Sequence, residues 1–385
     1  MRRISHNSSE EYKIFLDMKH WKAEKKIFRP EIFLQKENKL SPLFFYLYEL
    51  TEELYTKLPL RLNGENPLVH PSNTVLYLKK AGITDEITLC TGLIHDYVEE
   101  SVEIYRDLNK IKEDENGIKI LDAYEEEVFK ALQENLIIFS RKNKINFSAA
   151  KEVLGTVRLL TRHKRDFYYQ SIIELFVCDD EKMRERAIQV KLSDRIHNIL
   201  CIESFNEQQR MFQCFKNLFI LNNAKKYLME RKGKYTKQTE KLFKKCGKAT
   251  YDSFLTICKS CEKKGVQEII SMIQLAFKKF ALASNGLWEV TILNEKEKHP
   301  IRLFQGVIRK YDYRLHHEWK SFDKVVKSEK NYCTNFFANF KFSEEQIRAI
   351  MDYKDAYSCK EVVAYLMYLP EYTLGKFDYG DLFRD

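Results

Sequence analysis

The sequence predicts an all-α protein, and three observations support that expectation. Glycine and proline number only 12 and 7 in 385 residues, so few positions break a helix. Lys, Glu and Leu, which lose little freedom in a helix, are plentiful. Apolar residues recur at helical spacing in successive segments separated by short polar stretches. Hydrophobic residues make up 44% and charged residues 31%, the balance of a globular chain, and 26 Phe with 22 Tyr supply bulk for a core. The length suits one large or two ordinary domains.

Taken in order, residues 1–40 read as an N-terminal extension of one or two helices. Ser41-Pro42 opens the next helix, Ser41 as N-cap and Pro42 in the first turn, with the helix running to about Leu58. Arg61-Leu62-Asn63-Gly64-Glu65-Asn66-Pro67 is a turn-rich loop. Ser72 is the expected cap of a short helix that closes at Gly82. Thr84 is the expected cap of a longer one over 84–105, with Asp85 and Glu86 at the positive end of its dipole and Ile87, Leu93, Ile94 and Val98 on its apolar face. Residues 106–119, which hold Asn116-Gly117, read as a loop. Helices follow over about 120–139, 148–162, 168–178 and 181–205.

Beyond about 206 the character changes. Residues 225–265 are lysine-rich, 266–283 are amphipathic, Trp288-Glu289-Val290-Thr291-Ile292-Leu293 starts a strand or a helix, and the remainder reads as helical. No internal repeat or low-complexity linker marks a boundary, so the expected divisions are 1–40, 41–206 and a helical region of unassigned role over 207–385.

The net charge of +9 favours anionic ligands: nucleotides, nucleic acid or acidic lipid. No run approaches the roughly 20 apolar residues of a membrane span. Met1-Arg2-Arg3 has no apolar stretch behind it and so does not read as a secretory signal. Nine scattered cysteines, an odd number, fit free thiols in a reducing cytoplasm.

Four residues stand out as metal ligands. His95-Asp96 is a doublet inside the helix expected over 84–105, His70 precedes it at the end of the Gly64 loop, and Asp194 follows far downstream. Neighbouring side chains on a helix diverge by about 100 degrees, yet both can reach an ion at the helix edge. Two imidazoles and two carboxylates suit Mn²⁺, Fe²⁺ or Zn²⁺ better than Ca²⁺. Glu99 lies i+4 from His95 and could orient or deprotonate an attacking water, and Asn198 lies i+4 from Asp194.

Three ordered blocks give these residues a family context. Arg61-Leu62-Asn63-Gly64-Glu65-Asn66-Pro67-Leu68-Val69-His70-Pro71, Leu93-Ile94-His95-Asp96-Tyr97-Val98-Glu99-Glu100-Ser101 and Val190-Lys191-Leu192-Ser193-Asp194-Arg195-Ile196-His197-Asn198 resemble the HD-domain hydrolases. The resemblance is closest to the hydrolase domain of the RelA/SpoT family, over about residues 45–205. It implies an all-helical HD domain with metal ligands at His70, His95, Asp96 and Asp194, usually holding Mn²⁺. It further implies a catalytic acidic pair at Glu99 and Glu100, a catalytic Asn198, and removal of the 3′-pyrophosphate from guanosine alarmones. Arg61 would then face phosphate or base, with Lys191 and Arg195 supporting the site. Glu100 replaces the family's Asp, Asn66-Pro67 replaces Pro-Tyr, and 103–147 reads as an insertion. Nothing downstream resembles the family's synthetase domain.

Other segments carry weaker signals. Thr161-Arg162-His163-Lys164-Arg165-Asp166-Phe167-Tyr168-Tyr169 matches a basic and aromatic stretch of the family. Arg162 or Lys164 could pair with phosphate there and Tyr169 could stack on a base, or the stretch is a solvated turn before a core aromatic. Cys258-x-x-Cys261 lacks the second pair of ligands that structural zinc needs. His316-His317 has no ligand spacing, and the lysines between Lys225 and Lys248 could track a phosphate backbone or simply be solvated.

The sequence thus points to a metal-dependent phosphohydrolase acting on a nucleotide, guanosine-based by resemblance. Two alternatives stay open. One is an HD nucleotidase or triphosphohydrolase with another nucleotide; the other is a non-catalytic nucleotide- or RNA-binding module.

Overall fold

The computed structural model describes residues 21–31, 41–112, 115–144, 147–163, 168–202 and 237–262, with scattered positions between 205 and 231. Every regular element among them is helical. None of these helices is long and apolar enough to cross a membrane. The chain divides into two compact units, one of Lys22–Ser204 with Tyr235–Phe243 and another of Met1–Trp21, Phe205–Lys234 and Lys244–Asp385.

The first unit contains α1 (Pro42–Tyr55), α2 (Val69–Ala81), α3 (Glu86–Ile94), α4 (Tyr97–Asn109), α5 (Glu115–Asn143), α6 (Phe147–Leu160), α7 (Tyr168–Val177) and α8 (Glu181–Leu200). α3 packs against α1, α2, α6 and α8, and α8 packs against α2, α3, α6 and α7. These two helices are therefore central. α8 is buried on nearly every face, from Ala187 to Ile199, so its Ser193, Asp194, Arg195 and His197 are carried into the interior along with Ile188, Leu192 and Ile196. Buried polar groups at such positions need partners.

Local chemistry explains several of the helix ends. Ser41 caps α1 as expected, its hydroxyl accepting from the Phe44 N–H. Gly82 closes α2 with φ 96°. Asp180 caps α8 by accepting from the N–H groups of Lys182 and Met183.

Several expectations are corrected. α2 starts at Val69 rather than at Ser72: the Asn66 side chain accepts from the Leu68 N–H and its carbonyl from the Val69 N–H, so Asn66 terminates the loop. Ser72 instead accepts from the Phe28 N–H, and Asn73 exchanges two hydrogen bonds with the Glu24 backbone. Residues 22–29 form a non-helical strap along α2, and most of the extension expected over 1–40 lies outside the described residues. Asp85, not Thr84, caps α3, because its carboxylate is the stronger acceptor for the Thr88 N–H and hydroxyl. Asn116-Gly117 lies in the first turn of α5, not in a loop; a Cβ on Gly117 would overlap the Lys112 carbonyl.

The helix expected over 84–105 is two helices. α3 ends at Ile94 and α4 begins at Tyr97, although neither Gly nor Pro intervenes. Asp96 has left the helical region (φ −99°, ψ 1°), and its carbonyl accepts from Glu100 N–H to start α4. The His95 ring takes the Gly92 carbonyl of the last turn of α3. The His95 ring thus meets the end of α3 while the Asp96 backbone opens α4.

In the second unit the buried Cys214, Ile220, Leu221, Ala224 and Leu228 recur at helical spacing, and Asn217 donates to Thr250 on α9 (Lys237–Glu262). Lys248 of the lysine-rich run is buried and paired with Asp252 at 2.9 Å. Its charge is thus used within the helix rather than solvated. Cys258 and Cys261 lie on the α9 backbone. The stretch Trp288-Leu293 and His316-His317 lie outside the described residues.

Candidate metal centre

The break between α3 and α4 meets the first turn of α2 and the middle of α8. His70, His95 and Asp194 each offer a ligand atom there, all three within 4.8 Å of one another, and all three residues are buried. Asp96 adds a second carboxylate, its Oδ2 lying 3.1 Å from His70 Nε2 and 3.2 Å from His95 Nε2. His70 Nε2 is 3.4 Å from Asp194 Oδ1. Asp96 sits at the N-cap position of α4 without making a side-chain cap hydrogen bond, so its carboxylate is free for this cluster.

Hydrogen bonding orients the imidazoles. A carbonyl can only accept, so the 2.9 Å contact between His95 Nδ1 and Gly92 O places the proton on Nδ1 and leaves Nε2 with a lone pair. That nitrogen faces His70 Nε2 at 3.2 Å. On the far side of His70, Nδ1 meets His197 Nδ1 at 2.8 Å, and His197 Nε2 meets Cys201 Sγ at 3.4 Å. A ligand role for His70 Nε2 puts its proton on Nδ1, which then donates to His197. Burial, followed by the charges of His70 and Arg61, holds His197 well below the usual histidine range, so it stays neutral and can accept.

The electrostatics call for a cation. Two imidazole nitrogens close together with the buried Asp194 carboxylate and the half-buried Asp96 carboxylate are stable only with a proton or metal ion among them. Burial opposes charge on His95, but Asp96 and then Asp194 outweigh it and raise its pKa to about 9. Burial also opposes ionisation of Asp96, yet His95 and His70 hold it well below the ordinary carboxylate range. Asp194 is likewise lowered against burial, chiefly by Lys191, whose Nζ lies 2.9 Å from Oδ2. Asn198 donates to Oδ1 of the same carboxylate. The donor set fits a divalent ion, with outer partners already in place for His95, His70 and Asp194.

Glu99 and Glu100 occupy the first turn of α4. Glu99 Oε1 accepts the Arg162 N–H at 2.8 Å, and burial followed by Asp96 raises its pKa. Burial, Asp96 and Glu99 push Glu100 to about 7 against the pull of Arg61 and His95. Arg61 stands in the loop before α2, where its N–H is taken by the Glu65 carbonyl and its charge acts on Glu100 and His197. Arg195 is buried one position beyond Asp194. Lys164 and the side chain of Tyr169 lie outside the described residues.

Sequence reasoning assigned no role to His197 or Cys201. His197 stood inside a quoted block, one residue before Asn198 and three after Asp194, and that spacing was the available signal. Gly92 was also passed over. A Cβ there would lie 2.5 Å from Leu78 Cδ1, so its absence lets α3 approach α2 and brings His95 to His70.

No protein-family model matches the chain, and no solved structure does. Among curated proteins, a "Probable guanosine-3′,5′-bis(diphosphate) 3′-pyrophosphohydrolase" of Mycoplasma pneumoniae is 29% identical over 143 residues. The match covers 37% of this chain and 16% of the length of that relative.

Proposed function

We propose that this chain is a divalent-metal phosphohydrolase that cleaves a phosphoester or pyrophosphate bond in a nucleotide, with guanosine 3′,5′-bis(diphosphate) as the foremost substrate. The observation behind this proposal is the buried convergence of His70, His95 and Asp194, with Asp96 against both imidazoles. The substrate rests on the partial similarity to the Mycoplasma pneumoniae protein and on the three sequence blocks.

In this proposal His70, His95, Asp96 and Asp194 hold the ion, with Mn²⁺ foremost and Fe²⁺ or Zn²⁺ also suited to the donors. When bound, such an ion supplies Lewis acidity toward a phosphate oxygen and lowers the pKa of water. Glu99, held by the Arg162 N–H, orients the attacking water. Glu100, titrating near 7, takes up a proton from it at a carboxylate oxygen. Asn198 and Lys191 fix the two oxygens of Asp194. Arg61, with Lys191 and the buried Arg195, offsets negative charge that develops on phosphate. Arg162, Lys164 and Tyr169 are assigned to the nucleotide on the strength of the resemblance.

The test is metal-free protein reloaded with Mn²⁺ and assayed against ppGpp, GTP, dGTP and nucleoside monophosphates, with Asp194→Ala alongside. Pyrophosphate from ppGpp, lost by at least about a thousandfold in Asp194→Ala, is the expected result. Turnover of other nucleotides alone would keep the hydrolase and discard the substrate. No turnover with any metal would discard the proposal.

A further inference from the structure

α5 buries a stripe of Leu121, Glu125, Phe129, Leu132 and Leu136, which recur at helical spacing. Glu125 is out of character there: it is a carboxylate, yet only 1% exposed, whereas the next two residues, Glu126 and Glu127, face solvent. A buried carboxylate is costly unless it is paired and hydrogen-bonded. Its partner is His163, whose ring Nδ1 donates to Glu125 Oε1. Apolar residues of similar volume at 125 and 163 would fill the same space without the desolvation cost, so stability alone does not account for the pair.

Its place in the fold gives the pair a use. The chain leaves α6 at Leu160 through Thr161, Arg162 and His163. Thr161 closes the helix, its N–H and its hydroxyl both donating to the Val157 carbonyl. The Arg162 N–H donates to Glu99 Oε1 at 2.8 Å. His163 then reaches Glu125. Three consecutive residues are thus tied to α6, α4 and α5 in turn, and α5 packs on both of the other helices. A backbone N–H aims its hydrogen bond only as well as the chain around it is fixed; Thr161 fixes Arg162 from one side and His163 from the other. We infer that Glu125 is a positioning residue of the hydrolase: through His163 it fixes the Arg162 N–H that holds Glu99, and so keeps the Glu99 carboxylate directed at the attacking water. This inference rests on the phosphohydrolase proposal. It gives α5, most of which falls in the stretch 103–147 that reads as an insertion, a part in the site without contact to substrate.

The test replaces the pair by apolar residues, Glu125→Met with His163→Leu, in the wild-type chain and in Glu99→Gln. His163→Asn is made alongside, because its amide nitrogen can donate from close to the place of Nδ1. The Mn²⁺-loaded full chain is assayed with ppGpp, or with GTP, dGTP or a nucleoside monophosphate if ppGpp is inert, and Mn²⁺ affinity and thermal midpoint are measured in parallel. The apolar pair should lower kcat by about tenfold to a hundredfold, with KM and Mn²⁺ affinity within about twofold of wild type. Its thermal midpoint should stay level or rise. On the residual turnover of Glu99→Gln the apolar pair should have no further effect, since a contribution made through Glu99 is lost once with it. His163→Asn should recover most of kcat. An unchanged kcat in the apolar pair, or an equal loss with and without Glu99, overturns the inference and leaves the hydrolase proposal standing. An apolar pair that unfolds, or whose midpoint falls, also overturns it, because Glu125 and His163 would then be a structural support. A wild type that turns over none of these nucleotides overturns both.

Discussion

Glu100 titrates where an acid–base group is useful at neutral pH, and the same shift has a cost in stability. Its folded pKa of about 7 stands above the ordinary 4.5. Between those values the folded state holds a proton that the unfolded state has lost, so stability falls as pH rises through that window and levels off above it. Glu100→Gln cannot ionise. Urea unfolding of the metal-free chain should therefore show it more stable than wild type at pH 8, by about 1–2 kcal/mol, and unchanged at pH 4. Its turnover should fall by about a hundredfold or more. His197 supports His70 from behind, and outer partners of ligating histidines are typically worth about 10–100-fold in metal affinity. His197→Leu should weaken Mn²⁺ binding on that scale by calorimetry. Retention of full affinity in a folded variant would remove His197 from the centre. Glu100 could be assigned from its sequence block, but its pKa could not, because burial and the distance to Asp96 are properties of the fold.

At the scale of elements, the gap between α3 and α4 places two of the candidate ligands, His95 and Asp96. Periodicity across 84–105 is continuous, and neither Gly nor Pro stands between Ile94 and Tyr97 where the helix breaks, so a single helix was the reasonable expectation. The break arises because His95 and Asp96 serve the cluster and the helix ends together. Close approach of α2 and α3 at Gly92 then sets the spacing of the imidazoles. Gly92→Ala forces Leu78 or the helices to move and should cost about 1–3 kcal/mol, with weaker metal binding. Gly155→Ala is the contrast. Its new Cβ would meet the flexible end of Met183 at 2.9 Å, and a helical alanine recovers up to about 1 kcal/mol, so chemical denaturation should show little change. Equal losses at the two sites would deny Gly92 its special role. The α3 cap is also tied into the bundle: Arg186 on α8 reaches Asp85 at 3.0 Å and Glu152 on α6 at 2.6 Å.

For the whole molecule, an ion held by α2, α8 and the α3–α4 break would tie together elements that are distant in the chain. An ion that binds the folded state alone stabilises it by about 2.7 kcal/mol at a hundredfold excess over Kd. In a unit of this size, Mn²⁺ should raise the thermal midpoint by about 5–10 °C, and Asp194→Ala should lose most of that rise. A midpoint indifferent to Mn²⁺, Fe²⁺ and Zn²⁺ would remove the metal from the account. The sequence by itself determined the helical class, several helix ends such as the Ser41 cap of α1 and the Gly82 close of α2, and the residues worth testing as ligands, because composition, caps and i, i+4 spacing are local physics written in neighbouring residues. Only the tertiary structure decided that α3 stops at Ile94, that the Ser72 hydroxyl is taken by the Phe28 N–H instead of capping α2, and that His197 backs His70. Each of these depends on groups far apart in sequence, and on burial, which raises the energy of an unpaired polar atom until the fold supplies it with a partner.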